Sequence, residues 1–181
     1  MAPKFTEADN RKIILSTEEA MRRILDLAAM SDGDLLYDGY GSTFIVPMER
    51  KFADIPSIQR YVDSVLQLDW VQEKWPERSQ VPIRVKEKLK GDRGRATYEK
   101  LPDTGEILIP PHLDGGRKSW AMRESLVIHE ITHHFARGVH GEEFVSTLVE
   151  FIARLIGPHV GLLYQIEVSK AREELASQRK G

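Results

Sequence analysis

The stretch His129–Phe144, HEITHHFARGVHGEEF, gathers four of the chain's six histidines beside three glutamates. His129 and His133 are four residues apart, and on a helix such a pair shares one face, one turn above the other. A single cation can then touch both rings. Glu130 follows His129, where its carboxylate can reach a water held on that cation without itself becoming a ligand, which is the logic of the H-E-x-x-H pattern. The neighbours Leu126, Val127, Ile128, Ile131, Thr132 and Phe135 add no charge, so the motif helix is predicted to be buried. An isolated buried carboxylate is costly, and a nearby dication offsets that cost.

A catalytic zinc ion takes three protein ligands as a rule and keeps a fourth position for water. His140 is the leading third ligand: Gly138 can end the motif helix in a left-handed turn and let His140 come back as the next helix starts at Gly141. Glu143 and Glu150 compete for the same place, because carboxylates also complete such sites. His134 points about 100° away from His133 around the helix. It is read as a surface or supporting histidine. The chain has no cysteine, which removes disulfides, thiolate nucleophiles and sulfur ligation together. Any metal must be held by nitrogen and oxygen, and imidazole ligation suits Zn2+.

The chemistry expected of such a site is hydrolysis. Zinc lowers the pKa of its water toward ~7, Glu130 accepts the proton, and attack on a polarised carbonyl follows. Glu130 then passes the proton to the leaving nitrogen. A further donor to the oxyanion is expected, with His112, Arg137, His159 and Tyr164 as unranked candidates.

HEITH resembles the signature of the zincin metallopeptidases, and HGEEF, His140–Phe144, is similar to the element that supplies the third histidine in SprT-like peptidases. In length and in the strand block ahead of the motif, the whole chain resembles metallohydrolases of actinobacteria and their phages. Both resemblances imply zinc and hydrolysis, and the zincin one implies a zincin-like α+β domain with a peptide or protein as substrate. It also implies that an edge strand next to the motif helix, read here as EILIPP, aligns an extended peptide by β-augmentation. Two other readings are carried: a non-catalytic module stapled by zinc, and a SprT-like, nucleic-acid-associated protease.

The elements that must position these residues are read as follows. Ser16 and Glu19 have capping-box spacing before an apolar stripe at Met21, Ile24, Leu25 and Ala28, predicting a first helix. TFIVP reads as a strand, and the residues before it, YDGYGS, as a break. Asp54 and Pro56 open a second helix with its stripe at Ile58, Tyr61, Val62, Val65 and Leu66. Residues 81–111 suggest three antiparallel strands, the last of them an edge strand closed by prolines. The motif helix, a helix from Gly141, and a last helix from Val160 that frays into a polar tail at about 171–181 complete one predicted domain over 1–181, with a small sheet packed on the motif helix.

At 181 residues, 41% hydrophobic and 30% charged, the chain reads as a globular protein. A net charge of −2 gives no whole-molecule reason to expect a polyanion as partner. The run RVKEKLKGDRGR, within 84–95, is strongly basic and is read as a solvated hairpin, with nucleic acid as the sharper alternative. It has no interleaved aromatic until Tyr98. No apolar run approaches the ~20 residues of a membrane span and the first residues lack a signal-peptide core, so a cytoplasmic protein is expected.

Overall fold

The computed structural model describes residues 5–88, 95–112 and 120–179. The protein is α+β: the described residues form six α-helices and two small sheets in which antiparallel pairing predominates. The chain divides into two compact units, one built from Met1–Glu49 with Arg137–Gly181 and the other from Arg50–Ala136.

In the first unit, α1 spans Glu7–Ala28 and begins earlier than the Ser16 box predicts. Thr6 is the actual cap. Its hydroxyl accepts from the Asp9 amide, and the Asp9 carboxylate accepts from the Thr6 amide at 2.7 Å. Ile13 and Ile14 extend the buried stripe of Met21, Ile24, Leu25 and Ala28 upstream. Thr17 sits inside the helix, donating to the Ile13 carbonyl at 2.9 Å. β1 (Leu35–Gly39) and β2 (Ser42–Val46) pair antiparallel, so YDGYGS is the hairpin itself rather than a break. Tyr40 and Gly41, at φ 53° and 75°, supply the two left-handed residues of a two-residue turn whose twist suits the strands.

α5 (Glu142–Leu155) and α6 (Pro158–Gln178) complete this unit. Phe144, Leu148, Phe151 and Ile152 of α5 are wholly buried, as are Val160 and Leu163 of α6. Each such side chain contributes about 1.5–3 kcal/mol when taken from water. α6 continues as helix through most of 171–179, with Ala171 buried, so the predicted frayed tail is largely ordered helix.

In the second unit, Asp54 caps α2 (Ile55–Leu66) by accepting from the Ser57 amide at 2.8 Å, and the predicted apolar stripe is buried. The chain breaks at Gln67 and Leu68 before a short α3 (Asp69–Lys74). β3 (Ile83–Glu87), β4 (Thr97–Lys100) and β5 (Gly105–Ile109) form a sheet in the order β3-β5-β4.

This order corrects two expectations. β5 is the central strand, parallel to β3 and antiparallel to β4, so EILIPP lies inside the sheet and not at its edge. The strand part of the proline-ended segment stops at Ile109, before Pro110, and every ladder amide is kept. Nor is the basic run a β3–β4 hairpin, because those strands lie on opposite sides of β5. Residues 89–94 of that run lie outside the described residues. Of the rest, Lys86 is ion-paired with Glu106.

The outer edge of β3 is sealed by a side chain. Gln59 of α2 donates to the Ile83 carbonyl at 2.9 Å and accepts from the Val85 amide at 2.7 Å, imitating one rung of a further strand. The remaining edge belongs to β4, which packs against α4 (Glu124–Phe135).

Candidate metal centre

α4 carries the motif, and its start is fixed from both sides of one backbone exchange. The Glu124 amide donates to the Arg50 carbonyl at 2.9 Å, and the Arg50 amide donates to the Glu124 carboxylate at 3.0 Å. The Phe52 amide adds a bond to the Met122 carbonyl at 2.9 Å, just after the short 3-10 turn Trp120–Met122. Glu124 is buried and stands in the first helical turn, where a negative charge suits the helix dipole. Burial, with Glu124 nearby, pushes the Tyr61 phenol far above its usual range.

Along the helix, Glu130 is 7% exposed, and Thr132 satisfies its hydroxyl by donating to the Ile128 carbonyl at 2.8 Å. The His129 and His133 Nε2 atoms are 3.2 Å apart, with ring planes at 69°. Two nitrogens at ~2.05 Å on one ion stand ~3.3 Å apart, so this spacing suits a single metal ion shared by both rings.

His140 lies with them. One candidate ligand atom from each of His129, His133 and His140 falls within 4.8 Å of the others, and all three residues are half-buried. These three histidines could hold a metal ion. They occupy one unbroken stretch of chain, and the link after α4 makes the approach possible. α4 stops at Ala136, which is extended, so Gly138 is not the helix cap. Gly138 and His140 instead both take left-handed conformations, φ 73° and 57°. For a histidine that backbone costs of order 1 kcal/mol, and such strain gathers at functional sites. The His140 ring meets the buried Phe144 edge-on, with centroids 4.8 Å apart.

The competing glutamates do not join the group. Glu143 accepts from the Arg137 amide at 3.2 Å, and Glu150 pairs with Arg154 at 3.5 Å. Two oxyanion candidates are employed elsewhere. His159 accepts from the Ile45 amide at 2.8 Å, while Tyr164 is buried with its hydroxyl toward Glu18. His112 is exposed.

His134 is buried, 2% exposed, and has two partners. Its Nε2 lies 2.9 Å from the Arg78 carbonyl and its Nδ1 2.8 Å from the Tyr98 hydroxyl. A carbonyl only accepts, so Nε2 carries the proton and Nδ1 receives one from Tyr98. Burial lowers the His134 pKa and raises that of Tyr98, which keeps this neutral arrangement.

No protein-family model, no curated protein and no solved structure matches the chain. No helix among the described residues is long and apolar enough to cross a membrane.

Tyr98 and Gly105 are the residues of this region that sequence reasoning passed over. The sequence marks Tyr98 only as the first aromatic after the basic run. Their shared neighbour, His134, is distant in sequence and gives no local signal.

Proposed function

We propose that this protein is a zinc-dependent hydrolase, a zincin-type metallopeptidase that cleaves peptide bonds. The observation that carries the proposal is the cluster of three imidazoles, two of them on a helix that also holds a buried glutamate directly after the first. His129, His133 and His140 would hold the ion as neutral rings. When bound, zinc supplies Lewis acidity and makes water a nucleophile near neutral pH. Glu130 would accept a proton from the attacking water and return it to the leaving nitrogen.

Three nitrogen donors would leave a bound zinc ion room for solvent, which favours a working site over a closed structural one. Among the described residues no carboxylate joins the group. The substrate strand is assigned to β4 rather than β5. β4 is the sheet's other outer strand, no further strand pairs with it among the described residues, and it packs against α4, which supports an extended peptide adding to it.

The test is Glu130→Gln, assayed on dye-labelled casein with zinc content measured in parallel. The variant is expected to keep about one zinc per chain while turnover falls ~10²–10⁴-fold, the range of a lost general base. Casein cleavage by Glu130→Gln at the wild-type rate would overturn the assignment of Glu130.

A further inference from the structure

We infer that Tyr98 is a positioning residue of the metal centre, which with His134 braces the imidazole of His133 from the sheet side. This inference rests on the metal-binding reading above. Its observations all lie in the unit formed by Arg50–Ala136.

The brace has three parts. The Arg78 carbonyl anchors His134 through Nε2, and His134 in turn receives the Tyr98 hydroxyl on Nδ1. With both ring nitrogens of His134 engaged, its orientation is fixed, and the phenol is held at its far end. The face of the Tyr98 ring then lies nearly parallel to His133, at 14° with centroids 6.3 Å apart, within the range of offset aromatic packing. A ligand imidazole free to rotate must be ordered when metal binds, and each immobilised side chain subtracts from affinity. A ring already held parallel to Tyr98 avoids much of that loss.

Gly105 shows that the arrangement is built into the sheet. A Cβ at this position would come within 2.8 Å of Tyr98 Cε2 and 2.9 Å of both the Tyr98 hydroxyl and His134 Nδ1. Only the absence of a side chain on β5 lets the phenol and the imidazole meet over it. Two variants therefore reach the brace by different routes. Tyr98→Phe removes the hydroxyl and keeps the ring, while Gly105→Ala keeps every group and drives the two rings apart.

The experiment measures zinc affinity by competition with a chromophoric chelator. It adds the visible absorption of the cobalt-substituted protein and the thermal midpoint of the metal-free protein. Tyr98→Phe and Gly105→Ala are each expected to weaken zinc binding about 10-fold or more, the usual cost of losing support to a ligand. The cobalt bands should shift, because His133 no longer holds one orientation. In Tyr98→Phe the metal-free midpoint should stay within a few degrees of wild type.

Wild-type affinity and an unchanged cobalt spectrum in both variants would overturn the brace while leaving the metal centre standing. A weakened affinity matched by an equal loss of metal-free stability, with unchanged cobalt bands, would also overturn it, since Tyr98 would then serve the fold alone. Failure of the wild-type protein to bind zinc or cobalt would overturn the metal centre and the brace with it.

Discussion

Gly161→Ala sets two opposing effects against each other at the closest approach of α5 and α6. Alanine is the better helix residue, and replacing an interior glycine gains about 0.5–1 kcal/mol. An added Cβ, however, would lie 2.5 Å from the Ala153 Cβ, 2.9 Å from its Cα and 3.1 Å from its amide nitrogen. Carbon pairs are most favourable at ~3.5–4.0 Å, so the helices must part by about 1 Å. Two of the three opposing atoms are backbone and cannot swing aside.

Parting the helices loosens the contacts of Phe144, Leu148, Phe151 and Ile152, all wholly buried, and a gap of that size forfeits a quarter to a half of each van der Waals well. Overpacking of this kind costs about 1–3 kcal/mol. The clash outweighs the propensity gain, leaving a net loss of about 1–2 kcal/mol in urea unfolding, read from the midpoint at unchanged slope. Adding Ala153→Gly removes the shortest contact but not the one to Cα. The pair should therefore recover only part of the loss, with a coupling above ~0.5 kcal/mol. A Gly161→Ala protein as stable as wild type, or more so, would refute the close packing on which this reasoning stands.

Two further outcomes follow from the ends of α1 and α4. The Asp9 carboxyl is held down to about 2, chiefly by its hydrogen bonds from Thr6 and further by Arg179. Its contribution is therefore complete above the unfolded value near ~3.9 and lost as pH falls through about 2. Asp9→Asn should flatten the decline of stability between those values, seen in denaturation at stepped pH, and an unaltered slope would contradict it. Glu124→Ala leaves the Arg50 amide without its acceptor at the buried start of α4 and should cost about 1–3 kcal/mol in thermal or urea unfolding. Wild-type stability would show that the exchange with Arg50 does not hold the helix.

What the sequence made legible was local. α2 was readable because its cap, its proline and its apolar stripe all lie within one short segment, and α4 and α5 by their local run of apolar residues, without a side-chain cap. The spacing of His129 and His133 needs only helical periodicity. The sheet was misread because strand order depends on pairing between distant segments. EILIPP looks like an edge by its prolines, yet the strand ends before them. Ser16 resembled a cap because Glu19 follows at the right distance, while Thr6 and Asp9, which form the actual box, sit ahead of Ile13 and Ile14, apolar residues left outside the predicted stripe. YDGYGS looked like a break because a left-handed tyrosine before glycine is an unusual hairpin turn. The partners of His134 were invisible, since Arg78, Tyr98 and Gly105 meet it only through the tertiary fold.

The division of the chain sets an order of events during synthesis. Residues 50–136 form an uninterrupted run and can collapse as soon as they leave the ribosome, whereas α1 must hold an apolar flank open until α6 is translated. Until α6 is made, α1 therefore leaves to water the part of its apolar face that α6 later covers. The unit built from two separated segments is the place where translation stalled between them would do most harm.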